Sequence, residues 1–190
     1  MSFGFVIGNG ISRKGISLSN LHTKGKIYGC NALYREYTPD VLVATDQPIA
    51  DHIQQTGYSR NNRFYTRKPK PGLGGEVVPH YRYSSGPNAV AIAISDGHMV
   101  IYLVGFDMAP TLEEKFNNIY AGSEFYKPVD SMPTYPGNWE NQLYEILQKN
   151  PSNSIIRVIG DTSLSDTKLD KLNNYSSIEM SKFLNMINTT

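Results

Sequence analysis

Gly8-Asn9-Gly10 follows the apolar run Phe3 to Ile7. A glycine-flanked turn at that place lets the backbone approach an anionic group with its amide N–H donors exposed. The Gly-x-Gly lacks the third glycine of a dinucleotide fingerprint, because Arg13 stands there, so NAD is not expected. No Walker sequence is present either, which argues against a P-loop nucleotidase. Asn31, Asp46 and Asp107 fall in or at the ends of apolar segments, and Gly105-Phe106-Asp107 closes the strongest strand pattern of the chain. In a parallel sheet those carboxyl ends lie along one edge, where polar groups distant in sequence converge on one ligand. Tyr135 and Trp139, near Asn138, have rings that could stack on a base or a sugar. The histidines, His22, His52, His80 and His98, have no i, i+4 pair, and no Cys/His cluster accompanies them, so no metal site is expected. His80 is the one suited by position to acid–base work. It adjoins a basic stretch over 57–83, in which Arg63, Arg67 and Lys68, with Arg60, Lys70 and Arg82, face a single acid, Glu76. Cations mixed with tyrosines on a loop suit contact with phosphates or with an acceptor.

The elements that must hold these residues are short. Phe3 to Ile7, Ile27 to Tyr34, Val41 to Asp46, Met99 to Val104 and Ser154 to Ile159 read as buried-type strands. Pro48 fits the first turn of a helix closed by Gly57, and Ser84 or Ser85 caps a small-residue helix from Pro87 to about Asp96, ended by Gly97. Further helices are expected over 139–149 and near 176–186, the latter within a helical tail at 161–190. Residues 108–136, rich in Asn, Tyr, Ser and Pro, form an irregular segment too long for a plain connector and are expected to act as a mobile lid. About five strands and four or five helices predict one α/β domain over 1–190, with a mainly parallel sheet covered by helices on both faces.

Composition narrows the class. Hydrophobic residues make up 39% and charged residues 18%, enough apolar character for a real core. A net charge of +1 supplies no global field toward nucleic acid or anionic lipid, so nucleic acid is a disfavoured partner. The single cysteine, Cys30, fits a reducing compartment, and the opening residues resemble neither a signal peptide nor an anchor. No apolar run approaches the roughly 20 residues that cross a bilayer. The cytoplasm is the expected location.

Four blocks also carry a family likeness. Val6-Ile7-Gly8-Asn9-Gly10 with Ser12, then Cys30-Asn31, then Ser85-Gly86 leading into Ala91-Ile92-Ala93, then Ile101 to Asp107, span residues 3 to 110 in order. Together they resemble bacterial CMP-sialic-acid-dependent sialyltransferases of the lipooligosaccharide type, and their relatives, the domains related to archaeal pterin pyrophosphokinases. The resemblance implies a Rossmann-like domain that holds a nucleotide, of CMP type, with no cofactor, and a homo-oligomeric habit. By match to the motif, Asn9 and Gly10, with Gly8 ahead of them, sit at the phosphate or ribose, and Asn31 bonds the nucleotide. Ser85 and Gly86 approach the phosphate or its attached group, while Gly105, Phe106 and Asp107 surround the base and ribose.

Two departures bear on the reaction. Met108 stands where the family carries a tyrosine after the aspartate, and residues 108–190 contain no histidine where the family has its catalytic one. Tyr120, Tyr126 and Tyr135 are the side chains there whose chemistry suits a leaving phosphate, and Tyr120 or Tyr126 is expected to assist it. The expected function is a glycosyltransferase-like enzyme acting on a phosphate-linked group without metal. The rivals are a nucleotide-binding module that sequesters or senses its ligand, and a transferase that modifies nucleic acid.

Overall fold

In the computed structural model, which describes residues 3–164 and 166–189, the opening apolar run forms β1 (Phe3–Ile7). There follow α1 (Leu18–His22), β2 (Gly25–Cys30), β3 (Val41–Val43), α2 (Gln47–Gln55), α3 (Tyr58–Asn61), β4 (Phe64–Thr66) and β5 (Glu76–Val77). The second half contributes α4 (Ser85–Ser95), β6 (Val100–Val104), α5 (Gly137–Lys149), β7 (Ser154–Ile159), β8 (Tyr175–Glu179) and α6 (Met180–Asn188). Short 3-10 helices at Ile11–Arg13, Asn31–Arg35 and Lys168–Lys171 fill the connections.

All eight strands join one sheet in the order β5-β4-β3-β2-β1-β6-β7-β8, every neighbouring pair parallel. β1 is the pivot. It pairs with β2 from Phe3 opposite Gly25 to Ile7 opposite Gly29, and on its other side with β6 from Gly4 opposite Ile101 to Ile7 opposite Val104. The chain winds outward from β1 to β5, returns across the sheet through α4 to β6, and winds outward again to β8. The crossover sense therefore reverses between β1 and β6, which opens a crevice beyond their carboxyl ends.

Strand alternation distributes the core between two faces. Phe5 and Ile7 pack with Leu18 and Leu21 of α1, Ile49 and Ile53 of α2, and Phe183 and Ile187 of α6. Val6, Ile101 and Leu103 face the other way, onto Ala89, Val90 and Ala93 of α4 and Leu143, Ile146 and Leu147 of α5. Both faces are thus covered, and the fold is a Rossmann-like α/β arrangement.

Several elements differ from the sequence expectation. The basic stretch 57–83 is not a plain loop: it holds α3, β4 and β5, and Phe64, Tyr65 and Thr66 of β4 are buried in the sheet. β4 is three residues long between Arg63 and Arg67, too brief for periodicity to stand out from flanking charge. The segment over 161–190 is not purely helical, since Tyr175 to Glu179 add an edge strand. Ser176, Ser177 and Glu179 are exposed there, so the apolar signal of a buried strand is absent. The helix expected near 176–186 begins instead at Met180. Asn31 lies one residue beyond β2, at the start of a 3-10 helix. Residues 108–136 contain no helix or strand, in agreement with the sequence.

α6 closes the outer part of one face through Phe183, which is fully buried against Phe5 and Tyr102 with ring centroids 6.4 and 5.4 Å away. Phe183→Ala is expected to remove about 3 kcal/mol of unfolding free energy in urea titration. A loss under about 0.5 kcal/mol would show that α6 does not belong to the cooperative core.

Candidate functional site

The crevice at the reversal point is a cavity of about 480 Å³. Its floor is the carboxyl ends of β1, β2, β3 and β6, its rim the N-terminal ends of α2, α4 and α5, and its roof residues of the irregular 108–136 segment. Gly8, Asn9, Gly10, Asn31, Ser85, Gly86, Gly105, Phe106 and Asp107 all line it, so the structure brings together every residue that the sequence blocks assign to a nucleotide. Tyr126, Tyr135, Asn138 and Trp139 line it as well.

The turns after β1 and β6 are held in close contact. Gly8 N–H donates to the Val104 carbonyl at 2.8 Å, and Gly10 N–H to the Gly105 carbonyl at 2.9 Å. Gly105 has φ +75°, and a Cβ on it would stand 2.8 Å from the Gly8 carbonyl oxygen; a Cβ on Gly10 would stand 2.5 Å from Asp107. Glycine is required at both positions for this approach.

A polar chain links three strand ends. Ser85 Oγ accepts from Thr45 N–H, lies within hydrogen-bond distance of Thr45 Oγ1, and donates to Asn31 Oδ1, each at 3.0 Å. Asn31 is in the left-handed region at φ 52°, a conformation asparagine tolerates. Asn9 Nδ2 donates to the Cys30 carbonyl at 3.2 Å, while its buried Oδ1 has no hydrogen-bond partner among the described residues. α4 begins at Ser85, and neither serine caps it: Ser84 makes no capping bond, and the Ser85 hydroxyl is committed to Asn31 and Thr45. Pro87 has no N–H and Asn88 N–H is bonded to the Ser84 carbonyl, so the first-turn amides left at the cavity are those of Ser85 and Gly86, with the positive end of the helix dipole behind them.

Charged groups hold the walls. Asp107 is buried, and its carboxylate accepts from Ser12 N–H (3.0 Å), the Ser12 hydroxyl, Thr162 Oγ1 (3.0 Å) and Ser163 Oγ (3.1 Å). It thereby ties the turn after β1 to the turns after β6 and β7. Arg13, in the place of the missing glycine, is also buried; its Nε donates to the Gly8 carbonyl at 2.8 Å and its Nη2 reaches Glu36 at 2.8 Å and the Tyr120 hydroxyl at 3.0 Å. Burial acts to raise the Glu36 carboxyl, but hydrogen bonds from Tyr120 and Arg13 outweigh it and hold the group below its ordinary value. The fully buried Arg157 donates to the carbonyls of Phe106 and Leu164, fixing the backbone behind Phe106.

The candidate catalytic groups separate. Tyr126 is in the cavity wall; its hydroxyl accepts from Ala32 N–H at 3.3 Å, which leaves its own O–H free to donate, and burial pushes its pKa up to about 12. Tyr120 is outside the lining, its hydroxyl engaged by Glu36 and Arg13, and burial and Glu36 raise its pKa. His80 is outside too, stacked on Tyr83 at 4.6 Å between centroids, with its pKa lowered by burial and by Lys149. The basic trio does not gather at the cavity either. Arg63 forms a bidentate pair with Asp96 (2.6 and 3.0 Å), at the amino-terminal edge of the sheet. Arg67 spends its guanidinium on the carbonyls of Tyr81, Thr45 and Tyr83, and exposed Lys68 is not part of the lining. The lining cation is Lys127, which no pattern in the sequence singled out; its Nζ lies 5.7 Å from the Phe116 ring centroid. Among the described residues, no three His, Cys, Asp or Glu side chains gather as a metal site.

No protein-family model matches the chain, and no curated protein matches it. Among solved structures, it is similar to the sialyltransferase CstII from Campylobacter jejuni in complex with a substrate analogue, cytidine-5'-monophosphate. The identity is 17% and the TM-score 0.46, over 90% of this chain and 84% of that one. It is also similar to a variant of the sialyltransferase Cst-II in complex with CMP, at 17% identity and TM-score 0.45, over 83% of this chain and 81% of that one.

Asp107→Asn is expected to destabilise the fold by about 2 kcal/mol in chemical denaturation, because a buried acceptor surrounded by four donors becomes in part a donor itself. An unchanged unfolding midpoint would mean that the carboxylate does not organise the three turns.

Proposed function

We propose that the cavity binds a nucleotide of CMP type together with a group carried on its phosphate, and that the chain acts on that group as a glycosyltransferase-like enzyme without a cofactor. The observation that carries the reading is the convergence of four separated sequence blocks on one cavity, beside a helix N-terminus that no side chain caps. Backbone amides at α4, the Ser85–Asn31–Thr45 chain and Lys127 suit a phosphodiester, which needs donors and modest positive charge. The rings of Trp139 and Tyr135 suit a base or sugar at the rim. Tyr126, protonated at neutral pH, suits the leaving phosphate as a hydrogen-bond donor. In this reading the protein works in the cytoplasm; no described helix is long and apolar enough to cross a membrane.

One observation favours a second reading, a module that binds the nucleotide without turning it over: no histidine lines the cavity. A nucleic-acid-modifying transferase has less support, because the guanidiniums of Arg63 and Arg67 are engaged within the fold.

Thermal-shift and calorimetric titration with CMP, UMP, GMP and AMP tests the proposal. CMP is expected to raise the melting temperature, and Asn31→Ala to weaken CMP affinity about tenfold, equivalent to about 1.4 kcal/mol. Asn31→Gly, which relieves the left-handed backbone, should show the same loss if the carboxamide is responsible. No shift with any nucleotide would overturn the reading.

A further inference from the structure

Glycosyl transfer from a phosphate needs a group that removes the proton of the incoming hydroxyl. The titratable residues lining the cavity are Cys30, Asp46, Asp107, Tyr126, Lys127 and Tyr135. Cys30 is a buried thiol pushed up to about 12, and Tyr126 is a phenol pushed to a similar value by burial, so neither accepts a proton at neutral pH. Tyr135 is a phenol as well, and Lys127 is a cation. Asp107 has its carboxylate surrounded by four donors. Asp46 remains.

Its backbone is fixed and its side chain is not. Asp46 occupies the N-cap of α2, where its carbonyl accepts Ala50 N–H at 3.0 Å, yet its carboxylate makes no capping bond. Pro48, in the first turn, removes one of the amides that such a carboxylate would ordinarily cap. Asp46 is exposed, its carboxylate has no hydrogen-bond or ion-pair partner among the described residues, and it follows Thr45, which is bonded to Ser85 at the start of α4. A carboxylate repels a phosphate, so its place in a cavity suited to one points to hydroxyl chemistry instead.

Resting on the reading above, we propose that Asp46 is the general base of the transfer. The acceptor hydroxyl oxygen attacks the anomeric carbon while its proton passes to Asp46. The bond from that carbon to the phosphate oxygen breaks, and its electron pair stays on the phosphate, where the Tyr126 O–H and the α4 amides meet the charge. Tyr126 is close enough to Asp46 for the carboxylate charge to add to the effect of burial on its pKa, which keeps the phenol a donor.

The test uses CMP for binding and CMP-N-acetylneuraminic acid with lactose for turnover, with released CMP as the readout. Asp46→Asn is expected to retain CMP affinity within about twofold and to lower kcat at least about 100-fold. Formate should restore part of the rate to Asp46→Ala by filling the vacated place with a small carboxylate. Turnover unchanged in Asp46→Asn would overturn the assignment, and so would a tenfold loss of CMP affinity, which would make Asp46 a ribose contact. Wild-type protein that binds CMP but releases none from the donor also overturns it while leaving the nucleotide site standing. Wild-type protein that CMP does not stabilise removes the nucleotide reading, and the proposal with it.

Discussion

The site depends on how closely the backbones of β1 and β6 approach at their carboxyl ends. Gly10 N–H meets the Gly105 carbonyl, and Arg13 grips the carbonyl of Gly8 from below. With side chains at Gly10 and Gly105 the two turns would separate, and the crevice created by the reversal of winding would lose its floor. Burying the guanidinium of Arg13 is costly unless it is bonded, and its Nε and Nη2 are: a backbone carbonyl, a carboxylate and a phenol meet them. The same arrangement fixes Tyr120, and through it part of the irregular segment, against the body of the fold. Ile119 N–H on the Asn9 carbonyl and Asn117 Oδ1 on Ile11 N–H fasten that segment further. The roof of the cavity is therefore built from the turn that forms its floor.

Much of this was legible in the sequence, and the reason is burial. Strands covered on both faces, such as β1 and β6, are unbroken apolar runs, and a parallel sheet follows from several such runs separated by helices. The positions that punctuate them, Gly8 to Gly10, Asn31, Ser85-Gly86 and Gly105 to Asp107, align along one edge on sequence alone. Edge strands lack that signature: β5 is two exposed residues and β8 is mostly polar, so neither stands out from a loop.

Side-chain commitments were less legible, because composition shows that a charge exists and not what it faces. Arg67 looks like a phosphate ligand until three carbonyls are found around it, and Asp107, which does line the cavity, also has four donors of the fold on its carboxylate. Lys127 shows the converse. It lies in a segment with no periodicity, so only the folding of 108–136 over the crevice brings it to the lining.

Cys30 gives the cavity an unexpected chemical character. The only sulfur nucleophile of the chain stands in the wall of its principal pocket, between the β2 end and the Asn9 amide. With the thiol pushed up to about 12 by burial, the thiolate is disfavoured at neutral pH. Oxidation and alkylation proceed through the thiolate, so burial sets this wall of the pocket against both.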